Sequence, residues 1–340
     1  MRHRSRGIAL GPAIAGVFAL SGPLAMSAVL PGAEPSPPAP LATPLAREAS
    51  PPAPEALASP LELPGVSIRL RVPAGQMSGD PVRVRAWIER SARIVSAFYG
   101  SFPVRQLTLV VHIGDGERIG GGTTFGEPAP LIRVGIGRAV SREALQSDWV
   151  LVHEMIHLAL PDVGEEHAWL SEGLATYVEG IARAQAHDRT PEDVFAEDVR
   201  SMPRGLPQPG DQGLDHTHTW GRTYWGGALF CLLADLQIRR ETQQRRGLQD
   251  ALRAILKASG GLTASWPIER VLSVGDAATG THVLEQLYAQ MRDRPVLTDL
   301  PALWRELGVV PVGDGVRLID SAPLAATREA ILRPRSASAR

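Results

Sequence analysis

The chain has 340 residues, 44% of them hydrophobic, and a formal net charge of -1. That leaves room for a sizeable core, and without a basic excess nothing argues for nucleic acid as a partner. The single cysteine, Cys231, excludes an internal disulfide and any cysteine metal cluster, and its apolar setting reads as a small buried hydrophobe.

Arg2, Arg4 and Arg6 precede an apolar, alanine-rich stretch. Residues 1–30 therefore read as a signal peptide, with an uncleaved N-terminal anchor as the alternative. The expectation is an exported protein, periplasmic or extracellular, whose only membrane contact is a tether at this end. Residues 31–64 are rich in proline and alanine and predict an extended linker that packs no core. A folded domain is expected from 65 to 332, divided into a sheet part (65–140) and a helical part (141–332). A frayed basic tail, 333–340, follows.

Residues 66–72 alternate apolar and basic side chains like a half-exposed strand, and 81–99 place Val84, Trp87, Ile88, Ile94, Val95 and Phe98 at helical spacing. Residues 107–113 and 131–136 read as two further strands. Between them lies Gly120-Gly121-Gly122-Thr123-Thr124-Phe125-Gly126, which read alone is a tight hairpin loop.

From Trp149 to Leu160 an apolar run encloses His153-Glu154-Met155-Ile156-His157. On a helix, residues four apart are neighbours, so His153 and His157 present two imidazoles to one point while Glu154 flanks it. Two neutral imidazoles suit one Zn²⁺ ion, and the carboxylate beside them suits a general base acting on water there. Histidines and a glutamate on an apolar helix are costly to bury unless something satisfies them. A third ligand is needed. Fourteen residues separate His157 from Glu172, and Pro161, Asp162 and Gly164 supply a turn that lets a second helix, 165–184, fold back. Glu172 is the expected third ligand and His167 its rival; water takes the fourth position. Glu179, seven residues past Glu172, shares its helix face and is the expected partner of a ligand imidazole.

Residues 191–200 predict a short helix and 201–219 a loop rich in proline and glycine, in which His218 is a candidate for reaching the site. Helices are then expected at 222–243, 247–258, 278–292 and 300–307. His112, His187 and His282 read as structural or surface residues.

Trp169-Leu170-Ser171-Glu172-Gly173 resembles the segment that follows HExxH in the gluzincin metallopeptidases, where the glutamate binds zinc. Tyr224-Trp225-Gly226-Gly227-Ala228-Leu229, with Leu233-Ala234-Asp235-Leu236-Gln237-Ile238-Arg239 after it, is similar to a helix of the same clan, closest to the glycyl aminopeptidase family. Asp320-Ser321-Ala322-Pro323-Leu324-Ala325 is similar to that family's ending. The resemblance spans about residues 105–330. It implies a thermolysin-like α+β fold, with a small mixed sheet packed on the zinc helix and a mainly helical lobe after it. It implies peptide or protein substrates, aminopeptidase-like or endopeptidase cleavage, and for Tyr224 a part in stabilising the tetrahedral intermediate. It also makes the glycine-rich stretch a substrate-binding edge, with Gly121, Gly122 and Thr123 as candidates. Two departures stand out: Gly226 occupies the family's lysine position, and no glutamate occupies the place where many aminopeptidases of the clan hold a free amine. They motivate the alternative of a zinc-containing exported protein that binds peptides without cutting them. A metal-free core of hydrogen-bonded histidines is the third reading.

Overall fold

The computed structural model describes residues 55–57, 60–73 and 81–334, all within one compact unit, 47–340. The expected export segment, the linker up to residue 54 and the tail beyond 334 lie outside the described residues. Among those described, no helix is long and apolar enough to cross a membrane.

The fold is α+β. Its main sheet has the order β1-β3-β4-β6-β5, with β2 also on β3. Short strands β1 (Glu55–Leu57) and β2 (Leu61–Leu63) run antiparallel to β3 (Val66–Pro73). The sheet thus starts upstream of residue 65, inside the stretch whose composition reads as linker. Gly65, at φ +86°, allows the tight turn at Pro64-Gly65, and Leu61 then lies opposite Ile68 with both buried. A pair of buried leucine-type side chains outweighs the local composition.

Helix α1 (Pro81–Tyr99) crosses over from β3 to the parallel strand β4 (Gln106–Gly114), burying Val84, Trp87, Ile88, Ser91, Ala92, Ile94, Val95 and Phe98 along one face. In β4, Leu107, Leu109 and Val111 alternate into the core while His112 is exposed. The glycine-rich stretch is a strand rather than a loop: β5 (Ile119–Phe125) pairs antiparallel with β6 (Leu131–Gly137), with a register shift between Ile119 and Gly122. It forms the open edge of the sheet.

Helix α2 (Arg142–Ser147) leads into α3 (Val150–His157), which carries the HExxH residues and packs on β5. A single 3₁₀ turn at 165–167 precedes α4 (Ala168–Gln185). α4 is the central helix of the helical part, buried nearly all round, with α1, α3 and α5 (Pro191–Ser201) against it.

Residues 202–205 form a 3₁₀ turn, and a π-helical turn (Arg222–Gly226) opens α6 (Gly227–Glu241). Then come α7 (Leu248–Ser259), α8 (Ile268–Thr279), α9 (Val283–Met291), α10 (Leu300–Leu307), the hairpin β7 (Val309–Val312) and β8 (Gly315–Leu318), and α11 (Ala325–Leu332). The expected helix at 278–292 is therefore the end of one helix and the whole of another. Gly280, left-handed at φ +71°, stops α8 and accounts for the break.

Two recurring sequence features are structural. Asp235 pairs with Arg239 at 2.8 Å, accepts from Leu248 N at 2.9 Å and from the Tyr177 hydroxyl at 3.1 Å, so it braces α4, α6 and α7 together. Arg328 donates to Leu307 O at 3.0 Å and Asp320 at 2.8 Å, fastening the C-terminal part to α10. Cys231 is buried in α6, where burial pushes its thiol well above the usual range.

Candidate active site

Asp148 sets the entry of α3. Its carboxylate accepts from Val150 N at 2.9 Å and Leu151 N at 3.1 Å, and from the Trp87 indole at 2.8 Å. The first turn of the helix is thereby satisfied and tied to α1. Burial pushes the Asp148 carboxyl up, against these donors.

One and two turns on, His153 and His157 stand edge to face, their ring centroids 4.8 Å apart. The bend at Leu158–Asp162 is held by Asp162, whose N donates to Ala264 O and whose O accepts from Trp266 N. α4 then returns to bring Glu172 Oε2 within 3.1 Å of His153 Nε2 and 3.4 Å of His157 Nε2. All three donor atoms lie within 4.8 Å of one another. Donors around a tetrahedral zinc with bonds of about 2.0–2.1 Å stand about 3.3 Å apart, which the two distances to Glu172 match, and two imidazoles with one carboxylate are a donor set that suits one zinc ion.

His157 Nδ1 lies 3.0 Å from Ser171 Oγ, which leaves Nε2 to face the cluster. Burial alone would raise the Glu172 carboxyl, but His157 charge and hydrogen bonds from both imidazoles hold it well below the usual carboxylate range. For His157 the net shift is upward: burial lowers its pKa, and the charge and hydrogen bond of Glu172 together with the Glu154 charge raise it by more.

Glu154 points to the sheet edge. The Thr124 hydroxyl is 2.6 Å from Glu154 Oε2 and 2.9 Å from Glu154 O, placed to donate its one proton to either. Gly122 lies over the same side chain, and a Cβ there would overlap Glu154. Gly122 and Thr124 share a strand face, whereas Gly121 and Thr123 lie on the more exposed one, and the Thr123 hydroxyl donates to Gly122 O at 2.7 Å. Of the three edge candidates, Gly122 alone faces the cluster. Period-two alternation would have pointed to Thr124 had the stretch been read as a strand.

Tyr224 reaches the site from the π-helical turn, its ring stacked 6.2 Å from that of His153. Burial, and then the charge and hydrogen bonding of Glu172, raise the phenol well above its usual range, so the hydroxyl stays protonated as a donor. Its position rests on a helix crossing without side chains: Gly173 of α4 and Gly227 of α6 touch backbone to backbone, and a Cβ on either would overlap the other chain segment. Gly226, in place of the family's lysine, packs against the Arg222 guanidinium, which is itself paired with Asp211 at 2.7 Å. A side chain at 226 would press its Cβ on that guanidinium.

Three candidates lie elsewhere. Glu179 does share the helix face of Glu172, but seven residues carry it about 10 Å along the axis. It is instead paired with Arg183 at 2.9 Å, and no ligand imidazole is its partner. Ser171 takes the role expected of it. His167 is engaged by Asp215 at 3.1 Å, a carboxylate that also accepts from Trp169 at 2.7 Å and Tyr288 at 2.7 Å, fastening the 206–219 loop. His218 is exposed, and among the described residues it makes no hydrogen bond or ion pair with the cluster.

No protein-family model matches the chain. No curated protein matches it by sequence. Solved structures do resemble it. An aminopeptidase N family protein from Idiomarina loihiensis is similar with a TM-score of 0.53 and 14% identity, over 76% of this chain and 50% of that one. An M1 zinc metallopeptidase from Deinococcus radiodurans gives 0.46 and 17%, over 73% and 53%. Aminopeptidase A of Legionella pneumophila, in complex with aspartic acid, gives 0.47 and 14%, over 71% and 28%. The chain spans about half the length of the first two. At such identity the likeness to the Idiomarina protein is one of fold, a mixed sheet with a helical lobe.

Proposed function

We propose that this chain is an exported zinc-dependent peptidase of gluzincin type. The observation that carries the reading is the convergence of His153, His157 and Glu172, with Glu172 Oε2 3.1 and 3.4 Å from the two imidazoles and the Glu154 carboxylate alongside. Zinc held by these three residues would supply Lewis acidity, bringing the pKa of a coordinated water to about 7. Glu154 takes the proton from the attacking water and returns it to the leaving amine. Thr124 orients the carboxylate for that transfer by donating to Oε2. The Tyr224 hydroxyl donates to the oxyanion that develops on the peptide carbonyl. Glu154 also separates this reading from that of a binding-only relative, which has no need of an oriented carboxylate beside the metal.

The test is elemental analysis of the purified protein together with hydrolysis of a peptide library. About one zinc per chain and zinc-dependent cleavage are expected. A folded protein that takes up no zinc would remove the reading.

Thr124→Val keeps the shape of the side chain and removes the donor. Its kcat should fall about tenfold, the scale of one hydrogen bond to a charged group, with zinc content unchanged and Thr124→Ser restoring most of the rate. An unchanged kcat in the valine variant would remove Thr124 from the mechanism.

Export rests on the basic and then apolar N-terminus. The mass of the mature chain recovered from the producing cells should show loss of about the first 30 residues; an intact cytoplasmic product would contradict it.

A further inference from the structure

Six large hydrophobic side chains are exposed among the described residues, and two of the three aromatic ones, Trp149 and Trp220, adjoin the candidate active site. Trp149 (44% exposed) precedes His153 by one turn and Trp220 (41%) precedes Tyr224 by one turn, while Phe125 (37%) lies on the outer face of the edge strand under Arg133. Four rings form a continuous row. Trp220 stacks on Tyr224 at 5.7 Å, Tyr224 on His153 at 6.2 Å, and His153 meets Trp149 edge to face at 5.6 Å. The reacting groups thus lie in the middle of the row, and an exposed indole stands at each end.

Neither indole is loose. Tyr224 and the Arg204 guanidinium, 5.7 Å from the ring centroid, hold Trp220, and the His153 ring holds Trp149. Rigid, exposed aromatic surface on both sides of a reaction centre is suited to apolar side chains of a ligand. Among the described residues nothing closes the surface beyond Trp149. That side chain also lines an open cleft of about 640 Å³, with Arg183, Arg189, Glu197, Arg200 and Asp314 among its other walls. An exopeptidase needs one end of its site blocked or a carboxylate to hold the free amine, and Thr123, Thr124 and Phe125 offer no carboxylate on the edge strand.

We infer that, given the peptidase reading above, the enzyme is an endopeptidase. It takes aromatic or large aliphatic side chains against Trp149 on one side of the scissile bond and against Trp220 on the other. The extended substrate continues past Trp149 into the polar cleft.

The test uses the zinc-loaded protein and two peptide sets. One is acetylated and amidated at its ends, with Phe and Leu or with Gly and Ser flanking the central bond; the other consists of short peptides with a free amine. Internal cleavage of the blocked aromatic peptide is expected, with kcat/KM at least tenfold above that of the blocked glycine peptide. Trp149→Ala and Trp220→Ala should each raise KM for the aromatic peptide about tenfold and erase most of that preference, and Trp149→Phe should recover it. Binding is measured separately, by indole fluorescence of Glu154→Gln protein titrated with the blocked aromatic peptide, and should weaken about tenfold when either tryptophan is replaced by alanine. Cleavage confined to free-amine peptides would overturn the endopeptidase assignment and leave the peptidase reading standing. No cleavage of either set by metal-loaded protein would overturn both. Unchanged KM and Kd in both alanine variants would overturn the aromatic walls.

Discussion

Glu154→Gln is expected to lower kcat/KM for peptide hydrolysis by about a thousandfold, within the usual range for loss of a general base, while the zinc content stays at that of the parent. Glutamine keeps the length and planarity of the side chain, so Gly122 still fits over it and Thr124 still has an oxygen to meet. What disappears is the capacity to take a proton. The ligand set is untouched, because His153, His157 and Glu172 form it without Glu154. Rates and metal content measured on the same preparation separate the two roles. Hydrolysis within tenfold of the parent would mean that another group acts as base.

Glu172→Ala should weaken zinc binding by well over a hundredfold, more than the 10- to 100-fold typical of losing an outer partner of a ligand. The structure holds no ready replacement. His167, the nearest rival by sequence, is committed to Asp215, and Glu179 to Arg183. The variant should nonetheless fold, since α4 is anchored by buried Trp169, Leu170, Leu174, Ala175 and Val178. Competition with a chelator of known affinity gives the measurement. Parent-like affinity in a folded variant would take Glu172 out of the ligand set.

Much of this geometry is legible in the sequence because it is local. The spacing of His153 and His157 sets two side chains toward one point, and the turn residues Pro161 and Gly164 permit the return that brings in Glu172, although contacts with the distant Ala264 and Trp266 hold it. Helix α1 and strands β3, β4 and β6 announce themselves through the period of their apolar residues.

What the sequence conceals depends on contacts between distant segments. β5 looks like a loop because three glycines mask its alternation, and only pairing with β6 makes it a strand. α8 carries Gly275 in its interior, which weakens the helical signal, yet that glycine admits the Leu284 side chain of α9. β7 contains Pro311, a poor strand residue tolerated in a two-stranded hairpin. Glu179 illustrates the converse error, since a shared helix face says nothing about distance along the axis.

The Gly173–Gly227 crossing has a consequence for how this protein can change. Where side chains separate two helices, an exchange such as leucine for methionine shifts the helices slightly and gives selection a graded adjustment. Here main chain rests on main chain, so no small substitution resets the gap between the Glu172 carboxylate and the Tyr224 hydroxyl. The joint admits only its present form or disruption. On the peptidase reading, a change of substrate preference is therefore expected at β5 and at the exposed indoles, with the α4–α6 pair kept as it is.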